Sequence, residues 1–70
     1  MAFGKTLRKF RVEAGLSQEQ LAAKAGLNRT YVGDVERGER NIAIINMQKL
    51  AKALRASLAE MLRDMEDRFG

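Results

Sequence analysis

The chain contains no cysteine and no histidine. Disulfides are therefore excluded, and so is a zinc site of the usual ligand types. For a domain of 70 residues this matters, because a single core of that size is marginal and often needs a staple or a partner chain. The lack of cysteine also fits a reducing compartment. No apolar run approaches the roughly 18 residues of a membrane span. Strand signals are missing as well: there is no alternating run and no Asn-Gly hairpin turn. No repeat or low-complexity tract is present. An enzyme is the least expected class, since no carboxylate pair sits in an evident cleft and Ser17 and Ser57 are explained as helix caps. No cofactor and no metal is expected.

What is present is a basic, helix-forming sequence. The net charge is +4 and the pI about 10.0, a balance that favours an anionic partner such as nucleic acid. Its distribution is uneven. Lys5, Arg8, Lys9 and Arg11 crowd the first helix against Glu13, whereas Glu60, Asp64, Glu66 and Asp67 gather near the C-terminus. One end therefore suits phosphates and the other does not. The first 14 residues are basic and amphipathic, as a transit peptide would be, but their apolar positions continue a pattern the later helices need. They are read as a core helix.

The stretch Gly15–Gly38 organises the rest. Ser17 is a good N-cap, Gln20 completes a capping box, and Leu16 with Leu21 forms the hydrophobic staple. This helix carries Leu21, Ala22 and Ala25 on one side and stops at Gly26. Only Leu27 intervenes before Asn28, which caps a second helix burying Val32 and Val35 and ending at Gly38. Two short helices joined by so tight a turn, over about residues 17–37, match the arrangement in which one helix braces another in a DNA major groove. Around them, a first helix from about Phe3 to Ala14 presents Phe3, Leu7, Phe10 and Ala14 as one stripe. Gly4 weakens its first turn slightly. The segment Gly38–Ile42 is a loop in which Ile42 plugs the core. A fourth helix is expected over Ile44–Leu54, burying Met47, Leu50, Ala51 and Leu54; its start is poorly signalled, and Asn46 is a candidate cap for a shorter version. Ser57 and Glu60 form a second capping box for a fifth helix of about 57–69, carrying Leu58, Met61, Leu62, Met65 and Phe69. The expected fold is all-α, five short helices around one core, in a single domain spanning 1–70.

The pattern LRKFR, GLSQEQLAAKAGLNRTYVGDVERGER and LAKAL, in that order, resembles the phage-repressor and Cro helix-turn-helix family, also called the XRE family. The resemblance runs from the first helix into the fifth. The run LNRTYVGDVERGERN is similar, more narrowly, to the controller proteins of restriction–modification systems, which are small homodimeric regulators. What the resemblance implies is a compact lambda-repressor-like domain that binds double-stranded DNA, in the cytoplasm of a bacterium or from a phage.

Base contacts are expected from Arg29, Thr30, Tyr31, Asp34 and Arg37, opposite Val32 and Val35. Arg29 can fork onto guanine O6 and N7. Thr30 can bond a phosphate or touch a thymine methyl, with Tyr31 beside it, and in the resembling controllers this triplet is the reading head. Gly33 permits close approach of DNA at a cost of about 1 kcal/mol in helix propensity. Asp34 must either accept from cytosine N4 or hold Arg37 or Arg29 in place. Phosphate contacts are expected from Gln18, Asn28, Arg40 and Asn41. Gln18 opens a helix where free N–H groups and a positive dipole meet, and the resemblance gives it a clamp role there. Arg11 and Glu36 match, by the same resemblance, a structural ion pair joining the first helix to the third.

Met61, Leu62, Met65 and Phe69 form a stripe longer than a five-helix monomer requires, and a symmetric dimer is expected to bury it; packing back on Phe3 and Phe10 is the alternative. Two recognition helices about 34 Å apart would then read a palindrome. The leading function is a sequence-specific transcriptional regulator acting as a homodimer, with contact to RNA polymerase left open and a restriction–modification controller as the narrower form. The alternative is an antitoxin-type protein that binds a toxin and autoregulates its operon.

Overall fold

Caps written in the sequence set the helix boundaries of the computed structural model, which describes residues 2–69. Five helices follow in order: α1 (Ala2–Glu13), α2 (Gln18–Ala25), α3 (Arg29–Glu36), α4 (Ile44–Ala53) and α5 (Leu58–Phe69). No strand occurs among the described residues. Ser17 Oγ accepts from the Gln20 N–H at 3.0 Å while the Ser17 N–H donates to Gln20 Oε1 at 2.9 Å, so the capping box is reciprocal. Gly26, at φ 69°, turns the chain out of α2 in the left-handed conformation that other residues resist. Asn28 Oδ1 then accepts from the Thr30 N–H at 2.7 Å, and α3 starts with no slack between the two helices.

The core forms where the inner faces meet. Phe3, Leu7, Leu21, Val32, Leu50 and Met61 are all fully buried, and Ile42 closes the cluster from the loop as expected. The buried face of α1 is rotated from the expected stripe. Gly4 and Thr6 are buried with Phe3 and Leu7, while Phe10 is half-buried and Ala14 is exposed. The cause is a backbone approach: a Cβ on Gly4 would run into the Val35 carbonyl and lie 3.0 Å from that of Glu36. Gly4 is thus the contact point between α1 and α3 rather than a weak first turn. Thr6 Oγ1 is buried without a hydrogen-bond partner among the described residues, which costs stability.

α4 starts at Ile44 behind Ala43, which offers no side-chain cap. Asn46 is not a cap, because the helix begins two residues before it; its amide nitrogen donates instead to Tyr31. Leu50 and Ala51 are buried and Met47 and Leu54 half-buried. Only one half of the second capping box forms, Glu60 N–H to Ser57 Oγ at 3.4 Å. α5 packs back along α1, fastened by Lys9 Nζ to Asp64 Oδ1 at 3.0 Å. Met61, expected at a dimer interface, is therefore fully buried within its own protomer. Leu62 and Met65 are half-buried against the same core, and only Phe69 of the stripe is exposed. The stripe closes a small core that α1 alone cannot close.

Candidate nucleic-acid interface

With Val32 and Val35 buried on one side of α3, Arg29, Thr30 and Arg37 are left exposed on the other, uncovered by any described segment. A rigid frame stands behind them. Arg11 Nε donates to Glu36 Oε2 at 2.7 Å and Arg11 Nη2 to Glu36 Oε1 at 3.0 Å, while Arg11 Nη1 reaches the Leu16 carbonyl at 2.9 Å. The hydrogen bond to Glu36 raises the Arg11 pKa against the opposing effect of burial. One guanidinium thereby joins α1, the turn before α2, and α3.

Gln18 belongs to the same network. Its Nε2 donates to Glu36 Oε1 at 3.0 Å, so the side chain turns its acceptor, Oε1, outward. One N–H of Nε2 is not used by Glu36, and with the backbone N–H groups of the first turn of α2 it remains a donor for a phosphate.

Tyr31 is half-buried at the base of the exposed face. Its hydroxyl accepts from Asn46 Nδ2 at 3.0 Å, and the Arg40 guanidinium lies 5.3 Å from its ring centroid. Because that oxygen accepts, its own proton is free to be donated to another group, and Tyr31 lines a depression with Leu27, Asn28, Thr30 and Arg40. Asp34 does not pair with Arg29. It accepts from Arg37 Nη2 and lies 3.5 Å from Arg40 Nη2, so two arginines converge on one carboxylate. Arg37 Nε donates to Glu39 Oε1 at 3.1 Å, and this bond is the main reason the Arg37 pKa is raised; burial opposes it and Asp34 adds to it. Asn28 combines its capping role with an exposed position, and Asn41 is exposed in the loop.

The other basic residues of the first helix are partly committed elsewhere. Lys9 bridges to Asp64 and Glu13, Lys5 lies 5.7 Å from the Phe69 ring centroid, and Arg8 is exposed. Three residues of the interface escaped sequence reasoning in these roles: Asn46, Glu39, and Gly33 as a cleft between side chains. For Gly33 a signal existed, the i, i+4, i+8 ladder of Arg29, Gly33 and Arg37 on one face.

A family model described as helix-turn-helix matches residues 7–61. The control protein C.MunI from a Mycoplasma species is 42% identical over 65 residues, which cover 91% of this chain and 88% of that protein. The control protein C.SmaI of Serratia marcescens is 50% identical over 56 residues, covering 80% of this chain and 67% of that protein. Among solved structures, the restriction-modification controller protein C.AhdI from Aeromonas hydrophila superposes with a TM-score of 0.83 at 52% identity, over 86% of this chain and 91% of that one.

Proposed function

The chain belongs to the helix-turn-helix family of DNA-binding transcriptional regulators, and from that premise we propose that it acts as a homodimer on a palindromic operator in the manner of a restriction–modification controller. One observation carries this reading: the outer face of α3 is exposed and cationic while its inner face is locked into the core. α3 enters the major groove, with Arg29 and Thr30 at base edges and Arg37 further along. The amides opening α2, together with Asn28, the Tyr31 hydroxyl, Arg40 and Asn41, hold the flanking phosphates. Asp34 serves by organising Arg37 and Arg40, which removes the repulsion an unpaired acid would bring to the groove.

The second copy docks on the first turn of α4. Ile44 and Ile45 are 65% and 60% exposed, side by side, in the uncharged segment Asn41–Asn46. A neutral apolar patch can meet its own image across a two-fold axis. The surface around Phe69 carries Arg63, Glu66, Asp67 and Arg68 and suits self-contact less well.

Selection from a pool of randomised duplexes, followed by titration of the selected fragment across a salt series, tests the reading. The expected result is an inverted repeat whose affinity falls with a log–log slope of about −0.9 per phosphate contacted, with preference over random DNA retained. A flat salt response, or no enrichment, would refute it.

A further inference from the structure

Two side chains beside α3 are each held at one end by carboxylates and left free at the other, and the free ends converge on Gly33. Gln18 Nε2 donates to Glu36 Oε1 at 3.0 Å. A carboxylate only accepts, so the amide has one permitted orientation, with Oε1 turned outward. Arg37 donates through Nε to Glu39 and through Nη2 to Asp34, leaving Nη1 without a hydrogen bond among the described residues. A Cβ on Gly33 would lie 3.3 Å from Gln18 Oε1 and 3.1 Å from Arg37 Nη1. The missing side chain is the floor of a slot with an acceptor on one wall and a donor on the other. Arg29 and Thr30 form its rim.

The geometry points to this slot as an adenine-reading site, in which Gln18 Oε1 accepts from the N6 amine and Arg37 Nη1 donates to N7. The assignment rests on α3 being the helix that enters the groove. Other occupants fit less well. A phosphate offers acceptors only: it can meet Arg37 Nη1 and the second N–H of Gln18 Nε2, but it leaves the outward Gln18 oxygen facing negative charge with no donor. Guanine presents N7 and O6, two acceptors, so one of them meets Oε1 unfavourably. Cytosine gives a donor whose neighbouring acceptor, O6, lies on the paired guanine and not on the same base, and thymine gives an acceptor and a methyl group. Adenine alone presents donor and acceptor on one base edge in the major groove. Glu36 is then a positioning residue: it touches no base, yet it decides which end of Gln18 the slot displays.

The test is a base-preference profile, measured by substituting all four bases at each position of a half-site in a duplex selected from a random pool. For the full chain, one position is expected to prefer adenine by about tenfold or more. Gly33→Ala should abolish that preference and leave those at the remaining positions intact. The added methyl meets only the ends of two flexible side chains, and alanine is the better helix former, so the melting temperature is expected to hold or rise. Gln18→Met, which keeps the length and removes the acceptor, should give the same profile and decides the matter if Gly33→Ala melts low. A profile that keeps every preference in both variants, one that falls uniformly across all sequences, or the disappearance of a preference for a base other than adenine overturns the assignment. Failure of the parent chain to select any duplex would instead remove the groove-entry reading, and this site with it.

Discussion

Arg11 and Glu36 meet fork to fork across the α1–α3 contact, with nitrogen–oxygen distances of 2.7 and 3.0 Å and side chains only 13% and 4% exposed. Removing one partner leaves the other charge buried and unmatched, which costs more than the pair contributes when intact. Arg11→Ala is expected to destabilise the fold by about 3 kcal/mol, equivalent to roughly 12–24 °C in a domain of this size. Total stability for a chain this short is roughly 4–10 kcal/mol, so the variant sits near its unfolding threshold. Thermal melting by circular dichroism measures it. A shift of a degree or two would show that the pair is solvated and dispensable.

Gly4 and Gly33 predict opposite responses to the same substitution. At Gly4 an added methyl meets the backbone carbonyls of Val35 and Glu36, which cannot move without displacing α3. Gly4→Ala is expected to cost about 1–3 kcal/mol through overpacking, whereas Gly33→Ala, where only the ends of side chains have to yield, keeps up to about 1 kcal/mol of the helix-propensity gain. Urea unfolding of the two variants side by side distinguishes the sites. Equal stabilisation of both would refute the close α1–α3 approach.

Asp64 gives the fold an acid-sensitive latch. Burial pushes its carboxyl pKa up, but hydrogen bonds from Lys9 and Arg68 outweigh that and hold it below the ordinary value of 3.8. A depressed pKa stabilises the folded form above the unfolded value, and the contribution is lost as pH falls through the folded one. Stability should therefore decline below about pH 4 as α5 loosens from α1. Asp64→Asn should lower stability at neutral pH and flatten this acid limb, read from urea midpoints between neutral pH and pH 2. Superimposable limbs in the two proteins would show that other carboxylates govern acid unfolding.

The local devices of this fold were open to reading in the sequence, whereas the assembly of its surfaces was not. Ser17, Gln20, Gly26 and Asn28 act on neighbours within four residues, so their roles follow from spacing alone. The partners of Gly4, Thr6 and Met61 lie on other helices, and their burial depends on how α1, α3 and α5 dock. An amphipathic stripe shows that a face will be covered without showing by what: Met61, expected at a dimer interface, lies in the core. The site divides in the same way. Arg29 and Thr30 stand out from helical phase, but the inward turn of the Gln18 amide exists only because Glu36, 18 residues away, comes to meet it.

The dimer reading turns on Ile45. At 60% exposure it contributes little to the protomer's own core, so Ile45→Asp is expected to change monomer stability by no more than about 0.5 kcal/mol. In a two-fold interface the same change sets two like charges together in an apolar patch. Analytical ultracentrifugation should find the variant monomeric at concentrations where the parent is dimeric, with its affinity for the full palindrome reduced toward that for a half-site. Phe69→Ala should leave the dimer unchanged. The reverse pattern would move the interface to the end of α5.

Arg29 and Arg40 separate recognition from attraction. Arg29 has no acidic neighbour engaging its guanidinium among the described residues, and it stands at the N-terminal end of α3, where side chains reach base edges. Arg40 stacks against Tyr31 in the loop, where a phosphate is the nearer target. Arg29→Ala is expected to lose about 1–3 kcal/mol at one base pair of each half-site while affinity for random DNA changes little. Arg40→Ala should weaken selected and random duplexes alike and lower the salt slope by about 0.9 for each phosphate no longer neutralised. Competition titrations with selected and random duplexes at several salt concentrations give both quantities from one data set. If the two variants lost specific and random binding in the same proportion, both arginines would be phosphate ligands, and base recognition would pass to Thr30 and the slot above Gly33.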